Sequence, residues 1–91
     1  MKRITKKFQK LGFVLIGESD AGVTYARDHH SYRHFIGIVK TKYGYLIKSY
    51  REDMNPDGWF DAIALTPKEW LLAYKAYRRH KRKYARKNYN S

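Results

Sequence analysis

The clearest pattern of apolar and polar positions lies in the C-terminal third of the chain, where it predicts one long helix. Thr66 is a candidate N-cap, Pro67 suits the first helical position, and Glu69 follows Thr66 by three residues, as in a capping box. We expect the helix to run to Lys87, a length of about 30 Å at 1.5 Å per residue. Its first half is expected to pack on the core through side chains that recur at helical spacing, namely Trp70, Leu71, Tyr74 and Tyr77.

A shorter helix is predicted near the start of the chain. Ile4, Phe8 and Leu11 are spaced i, i+4 and i+7, which places them on one side of a helix. Gly12 is suited to end this helix, because glycine readily adopts the left-handed conformation that closes many helices. A helix of this length is unstable alone in water, so its apolar side is expected to dock on the rest of the fold.

Between the helices, short apolar runs separated by turn residues predict two β-hairpins. In the first hairpin, residues 13–16 pair with 23–27 across a turn at 19–22; in the second, residues 34–41 pair with 45–50 across a turn at 42–44.

The remaining segments complete an α+β fold. Residues 51–58 are rich in turn formers and are expected to form a loop, and 59–65 either add a short strand or lead into the helix. We therefore expect a short N-terminal helix, an antiparallel sheet of three to four strands, and a long C-terminal helix packed on one sheet face. Residues 1–87 are expected to form a single domain, followed by a disordered tail over 88–91.

Composition adds an expectation about the partner. The 91 residues carry 20 Lys plus Arg against 8 Asp plus Glu, a formal net charge of +12. This bias favours a polyanion such as DNA, RNA, an anionic membrane or an acidic protein. The absence of cysteine excludes disulfides and thiolate chemistry. No apolar run reaches the roughly 20 residues of a membrane span, and no secretory signal is evident, so we expect a cytoplasmic protein without a transmembrane segment.

The positive charge is concentrated in the second half of the C-terminal helix, where no acid follows Glu69 and His80 is expected to add to the basic run. Cations interleaved with aromatic rings suit a nucleic acid, since the cations contact phosphates and the rings stack on exposed bases. The first helix contributes to the same surface if both helices share one sheet face. The candidate nucleic-acid-binding residues are Lys75, Arg78, Arg79, Lys81, Arg82, Lys83, Tyr84, Arg86 and Lys87, with Lys6, Lys7 and Lys10 from the first helix.

A histidine-rich segment offers a second kind of chemistry. His29, His30 and His34 fall within six residues, next to Arg33, and could act as general acid or base while the arginine holds a phosphate. Adjacent histidines on an extended chain point to opposite sides, which is unfavourable for one shared metal ion. The acidic stretch 52–61 lacks the alternating spacing of a calcium-binding loop. We therefore predict no metal and no cofactor.

Two family resemblances bear on these expectations. An early Phe-x-x-Leu-Gly-Phe motif and a Leu-Thr-x-x-Glu opening to the last helix resemble a class of small phage and prophage proteins of Gram-positive bacteria. This resemblance implies an α-β-β-β-β-α fold and a phage-related origin, and it implies no activity. The matching residues are Phe8, Leu11, Gly12 and Phe13, then Leu65, Thr66, Glu69 and Trp70.

The second resemblance is to an enzyme family. Residues 10–14 (KLGFV) followed by 29–34 (HHSYRH) are similar to the HicA-type mRNA interferase toxins, which are small, basic and similar in fold to double-stranded-RNA-binding domains. That resemblance implies a metal-independent endoribonuclease with His29 or His30 as the catalytic residue. Where that family has Gly-Ser before the histidine, this chain has Arg27-Asp28.

The sequence therefore predicts a small, basic, non-enzymatic nucleic-acid-binding protein that binds through its C-terminal helix. The HicA-like endoribonuclease is the enzymatic alternative. A phage-type interaction module that binds a host protein through its tyrosines and the Trp59 region is the other alternative. An acidic protein is the other partner that the charge allows. The protein is expected to be a monomer, or a homodimer paired through the end of the helix.

Overall fold

The computed structural model describes residues 3–53 and 60–89, with side chains described for 3–53 and 61–84. The fold is α+β, with a short N-terminal helix, an antiparallel sheet and a long C-terminal helix, as predicted. The sheet has five strands in the order β1-β2-β3-β4-β5, each antiparallel to its neighbours. The elements are α1 (Arg3–Lys10), β1 (Val14–Ser19), β2 (Gly22–Asp28), β3 (Tyr32–Thr41), β4 (Gly44–Asp53), β5 (Phe60–Ala62) and α2 (Pro67–Tyr89).

The strand count corrects the prediction of three to four strands. The fifth strand, β5, has three residues and pairs with the end of β4, with Ala62 opposite Tyr50. A strand this short shows no readable alternation of apolar and polar residues, so periodicity could not establish it. Residues 51–53, expected in a loop, belong to β4, which continues to Asp53. The rest of the expected loop at 51–58 lies outside the described residues.

Two predicted helix boundaries can be compared with the structure. The helix α1 ends at Lys10, and Gly12 follows with a φ of +90°, the left-handed conformation expected of it. The helix α2 continues to Tyr89, two residues past the expected end, and so includes part of the segment expected to be a disordered tail. Residues 90 and 91 lie outside the described part of the chain.

Both helices pack on the same face of the sheet. On that face Val23 lies opposite Ile38 and Tyr25 lies opposite Ile36, and all four side chains are buried. The ring of Phe8 from α1 stacks on Tyr25 with the ring centroids 4.0 Å apart. The apolar stripe of α1 therefore docks where the first-helix pattern predicted. The buried core cluster comprises Phe8, Phe13, Val23, Tyr25, Ile36, Ile38, Leu72, Ala73 and Ala76.

The face of α2 that packs on the sheet differs from the prediction. Trp70, Leu71 and Tyr74, expected in the core, are 52%, 53% and 48% exposed. The small side chains of Ala73 and Ala76 face the sheet and belong to the core cluster, whereas Trp70 and Tyr74 lie towards solvent and Tyr77 is partly buried against the core. Between Pro67 and Tyr84, where side chains are described, the buried residues of α2 are Glu69, Leu72, Ala73, Ala76, His80 and Tyr84.

His80 is part of this buried face and does not extend the basic surface as expected. Its side chain is fully buried, and Nε2 donates a hydrogen bond of 2.7 Å to the backbone oxygen of Ser19. Its Nδ1 forms a second hydrogen bond of 2.7 Å with the hydroxyl of Tyr45. A buried polar ring is tolerated when both nitrogens have partners, and here these partners link α2 to β4 and to the β1–β2 turn.

Adjacent leucines test which face of α2 is buried. Leu72→Ala removes a core side chain and should lower the free energy of unfolding by about 2–5 kcal/mol. Leu71→Ala, the matched control on the exposed face, should change it by about 0.5 kcal/mol or less. Urea denaturation followed by circular dichroism measures both. Equal losses, or a larger loss at Leu71, would show that the helix is rotated relative to the structure described.

Candidate nucleic-acid interface

The start of α2 is fixed by the capping box that the sequence predicted. The backbone N–H of Thr66 donates to Oε1 of Glu69 over 2.9 Å, and the backbone N–H of Glu69 donates to Oγ1 of Thr66 over 3.2 Å. These two bonds satisfy backbone donors that a helix start otherwise leaves without partners. They also hold the Glu69 carboxylate in place, with its second oxygen directed to the sheet.

Arg27 of β2 connects both helices to the sheet, and one of its partners is Oε2 of Glu69. Its Nη2 donates to Oε2 of Glu69 over 3.1 Å, and its Nη1 donates to the backbone oxygen of Leu11, just after α1, over 2.9 Å. The guanidinium also lies 4.5 Å from the ring centroid of Phe13. One side chain thus sets the end of α1 and the start of α2 against the same strand.

A basic groove lies between the two helices. It has a volume of about 490 Å³, and among the described residues every lining side chain except Ile4 is a lysine or an arginine. The pKa of Lys7 is lowered, chiefly by the positive charge of Lys75 and further by partial desolvation and by Arg3. The folded chain therefore holds like charges close together here. We call this the α1–α2 groove, lined by Arg3, Ile4, Lys7, Lys75, Arg78, Arg79 and Arg82.

The solvent-exposed side of α2, which we call its outer face, also carries aromatic rings beside cations, next to the α1–α2 groove. A shallow hollow of about 600 Å³ is lined by Tyr74, Tyr77, Arg78, Lys81 and Arg82. The Arg78 guanidinium lies 6.0 Å from the centroid of the Tyr74 ring, and Lys81 Nζ lies 5.8 Å from that of Tyr77. Because Arg78 and Arg82 also line the α1–α2 groove, the two concave surfaces meet along one row of arginines.

Three of the candidate residues from the sequence are engaged by a single acid, Glu18 of β1. Arg79 Nη1 lies 3.6 Å from Oε1 of Glu18, and Lys83 Nζ lies 3.0 Å from Oε2. The Tyr84 hydroxyl donates to the same Oε2 over 3.2 Å, and Tyr84 is only 8% exposed, with its ring against His80. Tyr84 therefore does not present a ring for stacking in this structure.

The other candidates divide into an exposed set and a set whose side chains are not described. Lys75, Arg78, Lys81 and Arg82 are exposed on the outer face of α2. Among the α1 residues, Lys7 lines the groove, whereas Lys6 and Lys10 are exposed elsewhere on that helix. The side chains of Arg86 and Lys87 lie outside the described residues.

Arg3 belongs to the basic side of α1 that the sequence indicated, and it lines the groove one helical turn before Lys7. On α2, Lys75, Arg78 and Arg82 are spaced i, i+3 and i+7, which places them on one side of the helix. Sequence reasoning missed the exposure of Trp70. Trp70 was assigned to the core on its hydrophobicity, and only the packing of the alanines shows that it is exposed.

The structure brings His29 and His34 together, and leaves His30 exposed. His29 Nε2 accepts a 3.1 Å hydrogen bond from Arg27 Nε, and its ring stacks on Tyr32 at 4.5 Å between centroids. The ring of His34 lies 6.5 Å from that of His29. In the part of the chain that the structure describes, no group of three or more His, Asp or Glu side chains is arranged to hold a metal ion.

His34 is the buried member of this pair. Its Nε2 shares a 2.8 Å hydrogen bond with the hydroxyl of Ser49, while Nδ1 is buried without a hydrogen-bond partner among the described residues. Burial lowers the pKa of His34, and the charges of Arg27 and His29 lower it further, against an opposing effect of Glu69. The folded state therefore favours the neutral imidazole.

The chain matches no protein-family model, no curated protein and no solved structure. The two resemblances noted from the sequence therefore stay as expectations. Within residues 3–53 and 60–89, no helix has both the length and the apolar character needed to cross a bilayer.

The lowered pKa of His34 predicts a loss of stability in mild acid. The unfolded chain binds a proton at His34 below about pH 6.5, while the folded state resists it, so the unfolded state holds more protons in that window. The free energy of unfolding should therefore fall as pH decreases through about 6.5 towards the lowered folded pKa. His34→Gln should flatten this dependence, and His30→Gln, at an exposed position, should leave it unchanged. Urea titrations from about pH 7.5 to about pH 5 measure it. Identical slopes in the parent and His34→Gln would contradict the assignment.

Proposed function

We propose that this protein binds nucleic acid without cleaving it, through the α1–α2 groove and the outer face of α2. The observation that carries the proposal is the groove itself, where cations from two helices line one concave surface. Lysine and arginine side chains displace the counterions of a phosphate backbone, and this release provides most of the affinity of such surfaces.

The close approach of Lys7 and Lys75 supports a polyanionic ligand specifically. Two cations near enough to lower the pKa of Lys7 repel one another in the free protein. A phosphate placed between them would relieve that repulsion, which favours the bound state. Contacts of this kind position a backbone without reading its sequence, so we propose binding that depends little on base order.

Ion pairing with Glu18 narrows the set of residues that we assign to phosphate contacts. Arg79 and Lys83 are already paired with this carboxylate, so their gain on meeting a phosphate is smaller. The residues that we propose for phosphate contact are Arg3, Lys7, Lys75, Arg78, Lys81 and Arg82. A phage or prophage origin, proposed from the motifs at Phe8 and Thr66, and a cytoplasmic location complete the proposal.

Charge removal on the outer face of α2 tests this function. Lys75→Gln/Arg78→Gln should weaken binding to mixed-sequence DNA and RNA by about 10-fold or more at about 0.1 M salt, and should make the slope of log K against log salt shallower by about two. The control Lys42→Gln/Lys48→Gln removes two exposed lysines on the β3–β4 hairpin and should change both quantities little. Fluorescence anisotropy across a salt series measures them.

Three outcomes of this experiment count against the proposal. No binding by the parent at about 50 mM salt would reject it. Equal losses in the two double variants would show that net charge, rather than this surface, determines affinity. RNA shortened on a denaturing gel by the parent, but left intact by His29→Ala or His30→Ala, would favour the HicA-like nuclease instead.

A further inference from the structure

We infer that the aromatic edge of α2 is a stacking ledge for unpaired bases, and that the ligand is therefore single-stranded nucleic acid. The inference deepens the proposed function and rests on it. The ledge consists of Trp70, Tyr74 and Tyr77, which follow one another at i, i+4 and i+7 on α2. Over seven residues this row extends about 10 Å along the helix axis.

Packing of the core does not explain why Trp70 and Tyr74 are exposed. Trp70 and Tyr74 are 52% and 48% exposed, although the same helix buries the small side chains of Ala73 and Ala76 against the sheet. Leaving large rings in water forgoes burial that a core position would provide. A row of such rings on a highly charged helix is therefore a feature that a bound partner would explain.

The positive charges beside the ledge favour a partner that carries phosphates. Arg78 lies by the ring of Tyr74 and Lys81 by that of Tyr77, so both tyrosine rings of the ledge have a cation beside them that could contact a nucleotide's phosphate. The only acid in α2 is Glu69, which is buried and paired with Arg27. A second copy of the chain would place these same cations against each other, which opposes a homodimer through this face.

The α1–α2 groove suits the phosphate backbone of a single strand, and the ledge suits its unpaired bases. The row of Arg78 and Arg82 separates the groove from the rings, so a backbone that follows the arginines can turn its bases onto the ledge. In a duplex the bases are paired and stacked on each other, so a duplex could use the cations but not the rings.

Tyr77, the last residue of the ledge, is fixed by packing against the sheet. The ring of Tyr77 packs edge-on against Tyr45, at 5.1 Å between centroids, and Tyr45 is hydrogen-bonded to the buried His80. Tyr74 lies 5.8 Å from Tyr77 by the same measure. Rings that are ordered before binding lose little conformational entropy when a base stacks on them.

Tryptophan fluorescence tests the stacking directly. The chain has two tryptophans, so in a Trp59→Phe background the emission reports on Trp70 alone. Oligothymidylate should quench this emission, whereas an abasic oligonucleotide of equal length and charge should bind without comparable quenching. If Trp59→Phe does not fold, the difference in quenching between the parent and Trp70→Phe provides the same measurement.

Affinity provides the second test. Trp70→Ala and Tyr74→Ala should each weaken binding to oligothymidylate by about 5-fold to about 150-fold, as expected for the loss of one base–aromatic stack. Both should leave binding to the abasic strand and to duplex unchanged. Trp70→Phe, which keeps a ring, should retain most of the affinity. The control is Tyr43→Ala, at a tyrosine that is 88% exposed and also lies beside a lysine, Lys42, but on the β3–β4 turn.

The outcomes separate this inference from the proposed function. If the ring variants weaken oligothymidylate, abasic strand and duplex equally, or weaken none of them while Lys75→Gln/Arg78→Gln still does, the ledge is overturned and the proposed function stands. If the parent binds none of the three at about 50 mM salt, the proposed function fails and the ledge with it. Sedimentation showing a dimer that Trp70→Ala dissociates would assign the rings to a second copy, which also overturns the inference.

Discussion

The position of both helices depends on the guanidinium of Arg27. Its three nitrogens donate to three different groups: Nε to His29, Nη1 to the backbone oxygen of Leu11, and Nη2 to Glu69. A lysine could not replace it, because a single ammonium lacks the planar fork that reaches partners in three directions. Since Glu69 also closes the capping box, the same carboxylate starts α2 and attaches it to β2. Together with the core packing of Phe8, Ala73 and Ala76, this contact holds in place the two helices that form the walls of the α1–α2 groove.

A second polar contact holds the other half of α2. His80 connects the helix to Tyr45 and Ser19, and Glu18 adds ion pairs further along. Between these anchors the helix approaches the sheet through Ala73 and Ala76. Polar contacts at both places and small side chains between them attach the inner face of the helix to the sheet. Trp70 and Leu71 lie outside this contact and are about half exposed, whereas Tyr77 still packs against Tyr45.

Local patterns predicted much of the fold, because they depend on residues close together in sequence. The capping box at Thr66, the apolar stripe that includes Phe8, and the helix stop at Gly12 are of this kind. The buried face of α2 could not be predicted in the same way. Hydrophobicity favours Trp70 over Ala73 for a core position, and the reason for the reverse is the packing of α2 on the sheet and the hydrogen bonds of His80, which involve strands far away in sequence.

The sequence predicted that the candidate site is rich in positive charge, but it could not predict which of the cations are paired with acids in the fold. Glu18 lies more than sixty residues from Lys83, so no spacing in the sequence shows which cations it engages. The positive charge of Lys75 lowers the pKa of Lys7, which shows that the two side chains lie close together in the α1–α2 groove. Lys7 and Lys75 are also more than sixty residues apart in the chain, so this proximity depends on how α1 and α2 pack together and could not be predicted from either helix alone.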